Sequence, residues 1–269
     1  MADNVRGYRQ KYGEWALVTG ASAGIGLEFA KALAREGMSI VLTARREDRL
    51  NTLAAELKQA YQVETRVVAV DLAAPDGADR LADAVKDLPI AFLVNNAGFG
   101  YAGRFDKLAT ERLRSMVVVN CVVPVVLTSR ILPGMVQRGR GAVIVVGSVA
   151  GRQPLPLHAV YSATKGFDQL FGEGLWGELR GTGIDVLVLE PGPTATEFQS
   201  VAGESVGPNH GEPAGNVVRV AFDALGKQPS VISGWFNWVR ANAVRIVPRS
   251  TAVIIAKKVV EGTTPAELR

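Results

Sequence analysis

Trp15-Ala16-Leu17-Val18-Thr19-Gly20-Ala21-Ser22-Ala23-Gly24-Ile25-Gly26 is a short apolar run that breaks into a glycine-rich loop. Behind it, Leu27, Phe29, Ala30, Leu33 and Ala34 repeat at helical spacing and the pattern stops at Gly37. Strand, glycine loop and helix in that order make a phosphate cradle. The glycines let backbone amides approach a pyrophosphate, and the helix N-terminus turns its positive dipole end toward it. The spacing is G-x-x-x-G-x-G and not the G-x-G-x-x-G dinucleotide fingerprint, so a plain tight turn would use the same residues. The flanking chain decides between the two.

Going outward, apolar runs of strand length alternate with helical patterns. Strands are expected at 38–43, 65–70, 90–94, 141–146, 184–189 and 230–233, and helices at 46–60, 76–87, 107–137, 158–180, 213–226 and 251–260. Such a βαβ series folds as a parallel sheet covered by helices. Ligands of open α/β sheets bind at the carboxyl edge, and Asp71-Leu72 and Asn95-Asn96-Ala97-Gly98 stand at strand ends there. The end of the second strand selects the dinucleotide. NAD-binding chains place an acid about 20 residues beyond the glycine loop, whereas this chain has Ala44 followed by Arg45 and Arg46. Two guanidiniums suit a 2′-phosphate, so NADP is expected in preference to NAD.

Tyr161 and Lys165 lie four residues apart, on one face of the helix expected over 158–180. A phenol is a poor acid or base near neutrality, and an ammonium within about 4–6 Å favours its ionised form. On that ground Lys165 is expected to lower the Tyr161 pKa. Ser148 ends the fifth strand. As a hydrolase nucleophile it lacks the G-x-S-x-G elbow, and no acid stands between it and His158. Pro124 should kink the long helix over 107–137, which also carries Asn120 in an apolar stretch; that amide is either a repair of the kink or a functional group.

Thr19-Gly20-x-x-x-Gly24-x-Gly26, Asp71, Asn95-Asn96-Ala97-Gly98, Asn120, Ser148, Tyr161-x-x-x-Lys165 and Pro191-Gly192-x-x-x-Thr196 occur in one order and spacing. This set resembles the short-chain dehydrogenase/reductase family over about residues 15–233, on the branch near hydroxysteroid dehydrogenases and β-ketoacyl reductases. The resemblance implies a doubly wound Rossmann fold, a seven-stranded parallel sheet in the order 3-2-1-4-5-6-7, and a dimer or tetramer. It implies that Tyr161 exchanges a proton with the substrate oxygen, that Lys165 tunes the tyrosine and binds the nicotinamide ribose, and that Ser148 hydrogen-bonds the developing alkoxide. Asn120 would hold a relay water. Gly20, Ser22, Ala23, Gly24, Ile25 and Gly26 would hold the pyrophosphate and adenosine side, with Arg45 and Arg46 at the 2′-phosphate and Asp71 and Leu72 at adenine. Asn96, Ala97 and Gly98 would line the cleft, and Pro191, Gly192, Thr194 and Thr196 would seat the nicotinamide.

With 269 residues, 48% of them apolar, the chain is expected to form one catalytic domain over 15–233, with an N-terminal polar extension over 1–14 and an apolar, basic helical tail over 234–269. The formal charge of +4 comes from interleaved charges, which excludes a nucleic-acid tract. Cys121 is the single cysteine and the two histidines are not spaced as a pair, so neither a disulfide nor a metal site is expected. No apolar run of about 18 residues and no signal-peptide core is apparent, and a cytoplasmic location is expected. The Gly/Pro-rich stretch 197–216 reads as a lid over the site. Trp235, Phe236, Trp238, Val239, Ile246 and Val247, among Arg240, Arg245 and Arg249, would wall a substrate pocket, join a subunit contact or lie on a membrane. With Phe99, Tyr101, Leu155, Leu157 and Phe198 they suggest an apolar carbonyl or alcohol substrate. Reduction of a ketone and cofactor binding without chemistry both remain compatible with the fold.

Overall fold

Seven parallel strands run in the order β3-β2-β1-β4-β5-β6-β7. They are β1 (Trp15–Thr19), β2 (Ser39–Ala44), β3 (Thr65–Ala69), β4 (Ile90–Asn95), β5 (Gly141–Val146), β6 (Ile184–Glu190) and β7 (Ser230–Ile232). The computed structural model describes residues 6–204, 210–244 and 246–269. Strands β1, β4 and β5 are buried along their whole length, as strands covered on both faces must be, which is why they read as unbroken apolar runs. The order reverses between β1 and β4, and that reversal opens a crevice beyond the carboxyl ends of Thr19 and Asn95.

Helices α1 (Tyr8–Tyr12), α2 (Gly24–Arg35), α3 (Glu47–Tyr61), α4 (Gly77–Ala84), α5 (Thr110–Val117), α6 (Val123–Arg138) and α7 (Ala159–Glu178) precede α8 (Phe198–Ala202), α9 (Ala214–Ala224), α10 (Trp235–Ala243) and α11 (Arg249–Glu261). One apolar layer joins α2, α3 and α9 to the sheet through Phe29, Leu33, Leu50, Leu57 and Phe222. The opposite layer uses Leu81, Val119, Leu127, Met135 and Leu179.

Three expectations change. The segment read as a polar leader contributes Tyr8 and Tyr12 to the core, where both rings pack on Phe92 at 5.9 and 5.5 Å. Tyr8 also donates to the Phe222 carbonyl, so the hydroxyl that made the segment look polar is satisfied indoors. The disturbance expected at Pro124 takes another form than a kink: inside a continuous helix, Val118–Val122 forms a π-helical turn directly before α6, which accommodates the proline's missing N–H. Finally, Thr110–Arg138 forms one 29-residue helical stretch long and apolar enough to cross a bilayer by length and composition. Here it is a core helix, with Met116, Val119, Val123, Leu127, Ile131 and Met135 buried against the sheet. The lid expected over 197–216 contains α8 and a two-residue ladder of Thr194–Ala195 with Glu212–Pro213; residues 205–209, and Arg245 of the tail, lie outside the described residues.

Candidate active site

The glycine loop is built to leave no room. Gly20 has φ +69°, which favours glycine, and a Cβ on Gly26 would lie 2.4 Å from the Gly20 carbonyl oxygen. Thr19 ties this loop to the next strand end. Its hydroxyl donates to Val94 O at 3.1 Å and accepts from the amides of Asn96 and Ala97, both at 2.9 Å, while Asn96 Nδ2 donates to Thr19 O at 2.8 Å. Asn96, Ala97 and Gly98 are thereby fixed as one wall of the crevice. A Cβ at Gly98 would fall 3.1 Å from Asn120 Oδ1 and 3.5 Å from Lys165 Nζ, so glycine there brings backbone close to both side chains.

Asn120 lies in the π turn, buried, with its amide fully engaged. Oδ1 accepts from Phe99 N at 3.1 Å, and Nδ2 donates to Phe99 O at 3.1 Å and Thr164 Oγ1 at 3.0 Å. It therefore ties the 97–99 segment to α7. Ser148 follows β5, accepting from Ala150 N at 3.1 Å and donating to Pro191 O at 3.3 Å. Val149 N donates to the same carbonyl at 3.1 Å. Gly192, Thr194 and Thr196 continue along this edge, and the methyl of Thr196 is 2.8 Å from where a Cβ on Gly24 would stand. Ile25 is half-buried against the core behind the loop.

Lys165 is buried and donates to Val146 O and Asp168 Oδ2, both at 2.8 Å. Burial alone would lower its pKa, but Asp168 and Tyr161 outweigh that and the ammonium is raised. Asp168 is raised by burial, against the pull of Lys165, and its Oδ1 is buried without a partner. Lys165 lowers the Tyr161 pKa as expected, and the neighbouring Ser148 hydroxyl adds to that, but burial outweighs both and leaves the phenol raised overall. Asp168, paired with Lys165, adds to the rise. The Tyr161 ring packs on Phe198 of α8 with centroids 5.5 Å apart and lies 6.3 Å from His158. His158 is lowered by burial, and its Nε2 is 3.7 Å from Glu204. Burial pushes the Cys121 thiol up to about 11, which leaves it unreactive near neutrality.

At the far end of the crevice, Arg46 donates through Nη2 and Nε to Ser22 Oγ at 3.1 and 3.3 Å and pairs with Glu197 at 2.7 Å. Arg49, one turn along α3, takes the other oxygen of Glu197 at 2.8 Å. Arg45 is exposed and makes no hydrogen bond or ion pair among the described residues. Asp71 caps its own turn by accepting from Ala73 N at 3.0 Å, and the Leu72 side chain goes into the core beside Val70 and Leu81. Ala23 is the extended residue preceding α2.

Two cavities, about 290 and 480 Å³, lie between the 101–113 and 151–166 segments and α11. Neither is lined by Tyr161, Ser148 or Lys165; Phe198 covers the phenol instead. The sequence reading missed Asp168, Arg49, Glu197 and the Arg152–Glu190 pair. Asp168 was within its reach, because it stands three residues from Lys165 on the same helix face.

The residues fit a dinucleotide: a glycine cradle at a helix N-terminus, no acid at the end of β2, and a serine and a guanidinium of that strand end in contact. Comparison with known proteins agrees. The profile described as short chain dehydrogenase matches residues 14–206. The very-long-chain 3-oxoacyl-CoA reductase of Homo sapiens is 33% identical over 95% of this chain and 86% of its own. A solved 7β-hydroxysteroid dehydrogenase superposes with a TM-score of 0.86 at 31% identity, covering 92% of this chain and 98% of that one. A short-chain dehydrogenase from Sphingobium yanoikuyae, solved in complex with NADPH, gives 0.78 at 31% identity over 86% of this chain and 92% of its own.

Proposed function

The chain belongs to the short-chain dehydrogenase family, and on that premise we propose that it is an NADPH-dependent reductase of an apolar ketone, reversible as alcohol oxidation with NADP. The observation that carries the reading is Tyr161 hydrogen-bonded to Ser148 and within electrostatic reach of Lys165 at the carboxyl edge of the sheet, beside a glycine cradle. Bound there, the reduced nicotinamide would supply the hydride. Tyr161 Oη gives its proton to the carbonyl oxygen as negative charge develops on it, a general-acid role worth about 10²–10⁴ in rate. Ser148 donates a second hydrogen bond to that oxygen. Lys165 holds ribose hydroxyls and keeps positive charge beside the phenol, and Asn120 positions the 97–99 wall of the cleft. Raised above its ordinary value, Tyr161 is protonated near neutrality, which suits reduction.

An apolar substrate is supported by Phe198 over the phenol and by Tyr101, Leu155 and Leu157 in the adjoining cavities. Names of relatives point the same way, a long acyl thioester for one and a steroid for another. Exposed Val122 and Val125 on the long helix and Leu170 on α7 support a homodimer or homotetramer. The test is NADPH consumption against apolar ketones, β-ketoacyl thioesters and steroids, with Tyr161→Phe beside the parent. Turnover lost in the variant while NADPH still binds is the expected result; unchanged turnover would remove Tyr161 from the chemistry.

A second reading, attachment of the enzyme to a membrane surface, is favoured by α10 and α11. Trp235, Phe236, Trp238, Ile246, Ile254 and Ile255 are more than half exposed, and residues 235–260 carry five basic and no acidic residues. An apolar face flanked by cations fits an anionic lipid surface. Co-sedimentation with phosphatidylserine vesicles should fall with added salt and in Trp235→Ala/Trp238→Ala; no co-sedimentation with these vesicles at low salt would argue for a pocket wall or subunit contact.

A further inference from the structure

Arg46 and Arg49 hold between them both oxygens of Glu197, at 2.7 and 2.8 Å, and Arg46 also rests on the hydroxyl of Ser22 in the glycine loop. Two guanidiniums and a hydroxyl make a donor set for a tetrahedral dianion, and the anion it holds here is a carboxylate of the chain itself. We propose that Arg49 and Glu197 are specificity-determining residues for NADPH: Arg49 completes the 2′-phosphate subsite, and Glu197 is a carboxylate latch that the 2′-phosphate displaces, loosening α8 from Tyr161.

The coupling follows from chain connectivity. Glu197 immediately precedes α8, whose first residue, Phe198, lies on the Tyr161 ring. At the start of that short helix Gln199 Nε2 donates to Thr194 O at 3.1 Å and Phe198 N to Thr196 Oγ1 at 3.2 Å. Ala102 N donates to Ala202 O at 3.0 Å, Arg112 donates to Val201 O, and just past its end Glu204 is 3.7 Å from His158. The ion cluster joins these bonds in anchoring the α8 end nearest the adenosine side of the crevice, and is the exposed, charged part of that anchor, while the helix itself closes over the reacting side. Arg46, Glu197 and Arg49 side chains are 40–46% exposed, and pairs that exposed exchange partners readily. A phosphate monoester brings about −1.5 to −2 charge and three acceptor oxygens against the single charge of the carboxylate, so it wins the guanidiniums. NADH, with hydroxyls at that position, has nothing to exchange and leaves the latch closed. The proposal rests on the NADPH reading, and deepens it by saying how the cofactor's phosphate opens the site over the tyrosine.

The probes are adenosine 2′,5′-bisphosphate and 5′-AMP, which carry the adenosine end alone, added to the full chain. Affinity is read by calorimetry, and loosening of α8 by hydrogen exchange in peptides spanning 198–204 and 100–104. In the parent, the bisphosphate should bind at least tenfold tighter than 5′-AMP and speed exchange in both peptides, and 5′-AMP should not. Glu197→Gln should tighten the bisphosphate by roughly two- to tenfold, leave 5′-AMP unchanged, and show fast exchange before any probe is added. Arg49→Ala should weaken the bisphosphate alone. If the parent prefers the bisphosphate but Glu197→Gln alters neither its affinity nor the exchange, the latch is wrong and the NADPH reading stands. Equal affinity of the parent for both probes would overturn both.

Discussion

The two ends of the crevice handle charge in opposite ways. On the adenosine side, Arg46, Glu197 and Arg49 stand at the rim, each more than a third exposed. On the reacting side, Lys165 and Asp168 are 6% and 2% exposed, and Arg152 pairs with a fully buried Glu190 at 2.6 Å through its Nε. Rim pairs are screened by water and contribute little to folding, so they are free to change partner when a ligand arrives. Sealed pairs have lost their hydration and keep their geometry because parting them would leave a buried charge uncompensated. Under the function proposed above, selection of the cofactor falls to the exchangeable end and proton chemistry to the fixed end.

The largest effect should come from the fixed end. Glu190→Ala leaves Arg152 inside the protein without its carboxylate and should cost about 3–5 kcal/mol in urea unfolding. A cost below about 1 kcal/mol would place this pair with the rim pairs and erase the contrast.

Next in size is the pH response. Tyr161 is raised by burial, so its proton is present below the ordinary phenol value and lost only as pH rises through the folded one. Ketone reduction should hold level through neutral pH, and alcohol oxidation should climb on the alkaline side. Asp168 is among the groups that raise Tyr161, so Asp168→Asn should move the oxidation limb toward lower pH. The groups facing the phenol are Lys165, Asp168 and Ser148, with His158 and Glu204 beyond the ring. An unmoved limb together with an unchanged urea midpoint would show that Asp168 is neither positioning Lys165 nor opposing it.

The smallest effect belongs to the rim. Glu197→Ala should leave the urea midpoint within the scatter of ordinary surface substitutions, and high salt should abolish what difference there is. The two carboxylates also respond to pH with opposite sign. Asp168, raised by burial, gives stability that is present at acid pH and lost as pH rises through its folded value. Glu197, lowered by its hydrogen bond to Arg49, gives stability that is lost as pH falls through its folded value. A marked loss of stability in Glu197→Ala would mean that the rim cluster holds the fold and is not free to open.

Much of this was legible because it is local. Strands buried on both faces must be continuously apolar, helices must repeat at 3.6, and a chain that approaches a pyrophosphate closely must carry glycine, so elements and loop appear in the order of residues. The seven strands and their order agree with the sequence reading, as does the gathering of Ser148, Tyr161 and Lys165. Other features were hidden by distance along the chain or by ambiguous chemistry. Tyr8 and Tyr12 looked polar because a phenol carries a hydroxyl, and only packing on Phe92 shows which part of the ring counts. A kink was expected at Pro124, and the continuous helix takes up the proline as a π turn at Val118–Val122 instead, a choice of local geometry set by packing.

The sequence by itself determined the alternation of strand and helix, the glycine cradle, and the residue types that meet at the carboxyl edge. Tertiary structure alone decided which partners the charges take. Glu197 is 151 residues from Arg46 and 148 from Arg49, and it reaches them only because the loop after β6, with β4 and β5 between β6 and β1 in the sheet, crosses back to the glycine turn where Thr196 meets Gly24. Burial likewise set the direction of Tyr161, against what its spacing from Lys165 suggested. Spacing fixes which side chains share a face, whereas solvation and competing partners, which set the free energy of a charge, are properties of the packed fold.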